Sequence, residues 1–136
     1  MPSQAADVAR HTHEVFNSGD FEGFVESWDP DCEYRPALEG GVQGGGGVYR
    51  GHDGIRRWWR DMEEAWREWS TEIHEIRDLG HQRVLVLGVF RAQGRHTGIA
   101  FESPLAQVVE TRAGKVVSSQ DYFDQDAALE AAGRHD

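Results

Sequence analysis

The segment HQRVLVLGVFRAQGRHTGIAFESPLAQVVETRAGKVVSSQDYFDQDAALEAAG, residues 81–133, decides the fold. It contains three apolar stretches, separated by polar turns at residues 94–96 and 113–114, and ends in an alanine-rich stretch. Apolar runs joined by short glycine-containing turns are typical of antiparallel hairpins. The segment therefore predicts three consecutive antiparallel strands followed by a short helix.

Upstream of this segment, the sequence predicts three helices, a short strand and the first long strand of the sheet. Apolar residues recur at helical spacing in each predicted helix, and turn residues such as Gly19 and Pro30 separate the elements. The predicted helices are Gln4–Asn17, Phe21–Trp28, Asp53–Trp69 and a last one that runs from a cap at Asp124 to Ala132. The predicted strands are Cys32–Arg35, Ser70–Asp78, Arg83–Gln93, Thr97–Thr111 and Lys115–Phe123.

The composition indicates one domain that spans residues 1–136. Apolar residues make up 38% of the chain, and five Trp, six Phe and three Tyr suffice for one core. The net charge of −10 argues against nucleic acid as a partner, because phosphate binding needs a basic face. No membrane-spanning run or signal peptide is recognisable, and Cys32 is the single cysteine. These features predict a cytoplasmic protein with no membrane association.

The strand Val84–Phe90 is apolar on both faces, although the predicted helices cover only one side of the sheet. A second copy of the chain is the simplest cover for the other side, so we expect a homodimer through the sheet.

Pro104 lies inside the next strand, where it cannot donate to the ladder. It predicts a bulge or an edge position, and a bulge would bend the sheet around the helices.

Asp121 is the principal candidate for chemistry. It lies near the end of a strand whose alternate residues point into the core, and burial raises the pKa of a carboxyl group. A carboxyl group with a raised pKa is suited to general acid or base catalysis. The alternative is that Asp121 is a solvated turn or capping residue.

Other side chains are candidates for the wall of a small-molecule pocket, each with a structural alternative. Tyr34 is either a phenol donor at the cavity mouth or a half-buried strand aromatic. Three tryptophans, on or near predicted helices, are either pocket walls or core. His74 either faces the cavity or lies on the surface, and Glu102 faces outward by strand parity unless a bulge turns it. The three tryptophans are Trp28, Trp58 and Trp59.

Two further features carry little chemistry. The glycines Gly44–Gly47 lack the Lys and Ser/Thr of a phosphate loop, and we interpret them as a flexible flap or an unconstrained insertion. His11 and His13 are two apart on a helix and cannot share a ligand face. No other metal-binding motif is recognisable, so we expect neither metal nor cofactor.

The order of elements and several motifs resemble the SnoaL-like polyketide cyclases, within the nuclear transport factor 2-like (cystatin-like) superfamily. This resemblance implies an α+β fold, a cone-shaped curved antiparallel sheet wrapped around N-terminal helices. The resemblance extends over nearly the whole domain. Ketosteroid isomerases share the same fold. The motifs that carry it are residues 15–20, residues 49–55, residues 94–98, and residues 114–117 continuing through 121–124 to 128–129.

The resemblance also implies roles for two residues. In the characterised cyclases, an aspartate at the position of Asp121 is the general acid/base of an intramolecular aldol closure that needs no metal. Those cyclases have a histidine where this sequence has Gln107, which can hydrogen-bond a substrate oxygen but cannot titrate. We therefore expect either a cofactor-independent cyclase or isomerase acting on a small apolar carbonyl compound, or a non-catalytic ligand-binding or dimerisation module. An epoxide hydrolase is a third alternative, and it requires an Asp-Arg-Asp constellation.

Overall fold

The computed structural model describes residues 3–36, 48–122 and 124–133 of the chain. These residues form four helices, as the sequence predicts, and six strands, one more than the five predicted. None of the described helices is long and apolar enough to cross a membrane. The helices are α1 (Gln4–Ser18), α2 (Phe21–Glu26), α3 (Gly51–Ala65) and α4 (Gln125–Gly133). The strands are β1 (Trp28–Arg35), β2 (Tyr49–Arg50), β3 (Trp66–Gly80), β4 (Arg83–Gly94), β5 (Ala100–Arg112) and β6 (Lys115–Tyr122).

The six strands form one curved, open sheet in the order β2-β1-β6-β5-β4-β3. The consecutive hairpins from β3 to β6 are antiparallel, which confirms the sequence prediction. Strand β1 joins the sheet in parallel beside β6, a pairing that the short predicted strand did not indicate. Three register shifts along β3 and β4 and one between β5 and β6 add bulges, and bulges bend a sheet.

The predicted end of the third helix is wrong by four residues. Helix α3 ends at Ala65, and Trp66 and Trp69 belong to β3, where they pair with Gly94 and Ala92 of β4. Tryptophan is a middling helix former and is enriched in strands, so pairing with β4 can override the helical spacing here. The second helix is also shorter than predicted, because Trp28 already begins β1.

The inner, concave face of the sheet packs against α1, α2 and α3. Val84 and Val86 of β4 are fully buried there in one cluster with the aromatic residues of the helices. Phe16 is at the centre of the aromatic packing, with its ring 5.6 Å from that of Trp58 and 5.9 Å from that of Trp59. The apolar stripe of α3 is therefore core, as its 3.6-residue period predicts.

The outer face of the sheet is covered in part by α4. Leu85 and Leu87 point outward from β4 and are buried against Ala106 and Ala128, the last of which belongs to α4. Asp124 caps this helix, since its Oδ1 accepts a hydrogen bond from the Ala127 N–H. The premise that helices cover only one side of the sheet is thus wrong, and the homodimer stays a prediction.

Pro104 does not produce a bulge. The β4–β5 ladder runs through the pair Val89–Pro104 without a register shift. The β5–β6 ladder begins only at Ala106, so Pro104 lies where β5 has a partner on one side among the described residues. This is the edge position that the sequence allowed as the alternative to a bulge. Without a bulge, Glu102 points outward and pairs with Arg91 at 2.8 Å.

Gly88 is required for the close approach of β3 to β4. A Cβ atom built at Gly88 would overlap with the backbone carbonyl oxygen of Glu72 on the neighbouring strand. We expect Gly88→Ala to lower the free energy of unfolding by about 1–3 kcal/mol, because the ladder must shift to admit a methyl group. Urea unfolding followed by circular dichroism measures this loss. Gly133→Ala, where an added Cβ meets nothing within 4 Å, is the control, and an equal effect of both changes would refute the argument.

Candidate functional site

A cavity of about 120 Å³ lies between the concave face of the sheet and helices α1 and α3. Its wall is mostly apolar and aromatic, which is typical of sites for small organic molecules. Two of the predicted wall residues, Trp28 and Trp58, are among those that line it. Representative apolar lining residues are Phe16, Trp28, Trp58, Met62, Leu105 and Val109.

Asp121 of β6 places a carboxylate in this cavity. Its Oδ2 accepts a hydrogen bond from the Tyr34 hydroxyl at 2.5 Å, and its Oδ1 accepts one from Gln107 Nε2 at 2.8 Å. All three residues line the cavity. Three of the residues singled out in the sequence therefore meet in one hydrogen-bonded group.

A bulge in β6 determines that Asp121 faces inward. At the β5–β6 turn Thr111 pairs with Val116, but Glu110 pairs with Ser118, so Val117 is an extra residue on β6. If the pairing register of the turn continued along β6, the Asp121 side chain would point to the outer face of the sheet. The extra residue reverses the parity and brings Asp121 directly opposite Gln107.

Burial raises the pKa of Asp121 to about 6, while the hydrogen bonds from Tyr34 and Gln107 act in the opposite direction. The ionised carboxylate is costly in apolar surroundings, and the two donors offset only part of that cost. Burial, together with the nearby Asp121 carboxylate, raises the pKa of Tyr34 well above its usual value. Tyr34 thus stays protonated and acts as a donor, and Asp121 can exchange its proton near neutral pH.

Gln107 is connected to helix α1 through a histidine that the sequence analysis did not select. His13 Nε2 lies 2.8 Å from Gln107 Oε1, and His13 Nδ1 lies 2.9 Å from the Thr71 hydroxyl. Burial lowers the pKa of His13, and its hydrogen bond to Gln107 acts against this. The signal in the sequence was its position: His13 follows buried Ala9 by one helical turn and so lies on the inner side of α1.

A second tyrosine–aspartate pair, also not predicted, lies beside the first. Asp61 of α3 lines the cavity and accepts a hydrogen bond from the Tyr49 hydroxyl at 2.6 Å. Tyr49 is the cross-strand partner of Tyr34, and their ring centroids are 6.5 Å apart. The helical spacing places Asp61 three residues after Trp58, on the side of α3 that faces the cavity.

Two predicted site residues lie elsewhere. Trp59 is buried in the core behind the cavity, where its ring packs against those of Phe21 and Trp69. His74 is exposed on β3 and pairs with Glu72 at 3.3 Å, so it corresponds to the surface alternative. The bulges in β3 make strand parity an unreliable guide to which of its side chains face inward.

Residues Gly44–Gly47 lie outside the described part of the chain. Within residues 3–36, 48–122 and 124–133, no group of three or more His, Cys, Asp or Glu side chains is arranged to hold a metal ion. In the same residues, arginine is absent from the cavity wall, so the wall does not supply the Asp-Arg-Asp constellation of the epoxide hydrolase alternative.

The structure defines an α+β protein in which a curved sheet and its helices surround an apolar cavity that holds the Asp121 carboxylate. The chain belongs to the SnoaL-like domain family, whose model matches residues 8–119. No curated protein matches the sequence.

Many solved structures share the fold. An NTF2-like protein of unknown function from Burkholderia pseudomallei is 22% identical, with a TM-score of 0.79 over 95% of this chain and 97% of the other. TerC, co-crystallised with polyporic acid, is 23% identical, with a TM-score of 0.79 over 96% of this chain and 99% of its own. The protein RV0760c from Mycobacterium tuberculosis, in complex with estradiol-17β-hemisuccinate, is 15% identical, with a TM-score of 0.78 over 92% and 97%. At these identities the likeness shows the fold alone.

The raised pKa of Asp121 predicts that the stability of the fold depends on pH. Since the folded pKa of about 6 exceeds the ordinary aspartate pKa of 3.8, the folded state binds more protons, and stability is lost as pH rises between these values. The Asp121→Asn variant has no carboxyl group at this position, so its stability should not fall in this way as pH rises. Relative to the parent, we expect its free energy of unfolding to rise by up to about 3 kcal/mol between about pH 4 and about pH 7.

Chemical denaturation of both proteins across this pH range measures the difference. Asp31→Asn, which removes an exposed carboxylate with the same change in net charge, is the control. A difference between Asp121→Asn and the parent that does not grow with pH would show that the carboxylate is solvated in the folded protein.

Proposed function

We propose that the chain is a cofactor-independent cyclase or isomerase that acts on a small apolar carbonyl compound, with Asp121 as its general acid/base. One observation carries the proposal: the Asp121 carboxylate lies in an apolar cavity between the donors Tyr34 and Gln107, with its pKa raised to about 6. A base of this kind is largely ionised at neutral pH and is a stronger base than an ordinary aspartate. Trp28 and Trp58 shape the apolar wall around the substrate.

In this mechanism Asp121 removes a proton from the carbon next to the substrate carbonyl. The C–H electron pair forms the enolate, whose negative charge lies on the carbonyl oxygen. Gln107 Nε2 carries two N–H groups, and Asp121 uses one of them, so the other is available to donate to that oxygen. In a cyclase, the enolate carbon then attacks a second carbonyl of the same molecule, and the Asp121 carboxyl group gives its proton to the alkoxide that forms. In an isomerase, the Asp121 carboxyl group returns the same proton to another carbon of the enolate.

The composition of the cavity wall and other structures of the same fold support a small organic ligand. The lining is largely apolar, with Asp121 and Asp61 as its carboxylates among the described residues. Structures with the same fold have been determined with polyporic acid and with estradiol-17β-hemisuccinate, both small organic molecules. We infer a small apolar ligand that carries carbonyl groups, such as a polyketide-like ring precursor.

Deuterium exchange tests the proton-transfer step without knowledge of the natural substrate. The protein is incubated in D₂O with 1-tetralone, 2-tetralone and linear 1,3-diketones, and loss of the C–H signals next to the carbonyl is followed by NMR. We expect exchange above the buffer rate, and a loss of about 10²–10⁴-fold in Asp121→Asn, because general base catalysis contributes that much. Asp31→Asn should keep the parental rate.

The alternative function is a ligand-binding module without turnover. The observation that favours it is Gln107, a residue that cannot titrate, at the position where the resemblance implies a histidine. Under this alternative, a ketone binds with equal affinity to the parent and to Asp121→Asn, as measured by calorimetry, and neither protein catalyses exchange. The proposed enzyme instead requires binding to persist in the variant while exchange is lost.

We further propose a homodimer through the part of the outer sheet face that α4 leaves uncovered, in a cytoplasmic protein. The support is that β4 is apolar on both faces and that Val89 and Val108 remain partly accessible. Sedimentation at micromolar concentration should give twice the monomer mass of 15.3 kDa. Val108→Lys should shift the mass to the monomer, and a parent that sediments as a monomer would refute the dimer.

A further inference from the structure

A continuous chain of hydrogen bonds connects helix α1 and strand β3 to the Asp121 carboxylate. Three side-chain hydrogen bonds of 2.8–2.9 Å run from the Thr71 hydroxyl through His13 and Gln107 to Asp121, and Asn17 holds the Thr71 backbone N–H at 2.8 Å. His13 and Thr71 line the cavity together with Gln107, and the chain ends at the junction of α1 and β3. It therefore ties the donor at the carboxylate to a rigid part of the fold.

The direction of each bond can be derived from the chemistry of the groups. An ionised Asp121 only accepts hydrogen bonds, so Gln107 must present its NH₂ group to it, which turns Gln107 Oε1 toward His13. A flipped amide would instead set Oε1 against the carboxylate, oxygen against oxygen. His13 must therefore carry a proton on Nε2 in order to donate to Gln107 Oε1.

The opposite nitrogen of His13 lies beside the Thr71 hydroxyl. Burial lowers the pKa of His13 and favours the neutral ring, which has one N–H group. With the ring proton on Nε2, His13 presents Nδ1 as an acceptor to the Thr71 hydroxyl, which lies 2.9 Å from Nδ1 and 3.3 Å from Asn17 Oδ1. Asn17 also holds the Thr71 backbone, since it accepts from the Thr71 N–H and donates to the Thr71 carbonyl, both at 2.8 Å.

We propose that His13 is a positioning residue that fixes the amide of Gln107 with its NH₂ group toward Asp121. The same orientation supplies the N–H group that donates to the substrate oxygen. The inference depends on the proposed function only for the role of Asp121 in turnover. A titratable ring thus acts on the site from helix α1, through Gln107, without contacting the carboxylate.

The orientation of Gln107 has a consequence that can be measured without a substrate. The groups that contact Asp121 are Tyr34 from β1 and Gln107 from β5, and His13 from α1 and Asp61 from α3 line the same cavity. In His13→Phe the amide is free to flip, and the carboxylate loses a donor for part of the time. We expect the Asp121 pKa to rise by about one pH unit, because a hydrogen-bond donor favours the ionised carboxylate.

The experiment is a ¹³C NMR titration of the Asp121 carboxyl group in the parent, His13→Phe, Gln107→Leu and the double variant. Gln107→Leu removes the donor outright, so it should raise the pKa at least as much, and the double variant should match Gln107→Leu alone. His11→Phe, an exposed histidine on the same helix, is the control and should not change the titration. His13→Gln keeps an N–H donor and should restore the parental value.

Thr71→Val provides a second test if His13→Phe does not fold. It removes the hydroxyl that hydrogen-bonds to His13 Nδ1, and it should raise the Asp121 pKa by a smaller amount. The proposal is overturned if folded His13→Phe or Thr71→Val leaves the Asp121 pKa unchanged or lowers it, or if the effects of His13→Phe and Gln107→Leu add in the double variant. Absence of ketone exchange in the parent would overturn the proposed function and leave this titration result intact.

Discussion

The site depends on the register between β5 and β6. A side chain on a strand reverses its face with every residue, so one inserted residue decides whether a carboxylate meets water or the core. Val117 is that residue, and it places Asp121 opposite Gln107 above the concave face. The raised pKa of Asp121 and its contacts with Tyr34 and Gln107 all follow from this single shift.

Ionising a carboxyl group in an apolar cavity costs free energy, and hydrogen-bond donors from separate elements reduce this cost. Tyr34 reaches Asp121 from β1, and Gln107 reaches it from β5, supported by His13 of α1. Two donors lower the cost of ionisation without removing it, which keeps the pKa near 6. A fully solvated carboxylate would be a weaker base, and one without donors would stay protonated at neutral pH.

The sequence predicted the hairpins from β3 to β6 because their apolar runs and glycine turns act over short distances. It also selected Asp121, Gln107, Tyr34, Trp28 and Trp58, all of which line the cavity. It placed Trp66 and Trp69 in a helix, since local spacing cannot show that β4 lies alongside to pair with them. His74 was selected for its place on the first long strand and Trp59 for its helical spacing, but His74 lies on the surface and Trp59 in the core.

The sequence by itself determined the class of fold and the family, because apolar period, turn residues and short motifs are properties of contiguous residues. Only the tertiary structure decided which polar groups meet. His13 and Gln107 are 94 residues apart, and Tyr34 and Asp121 are 87 apart, so no local pattern relates them. Their contacts follow from the parallel pairing of β1 with β6, the packing of α1 on the sheet and the bulge in β6. These depend on long-range packing and on a register that turn chemistry alone does not set.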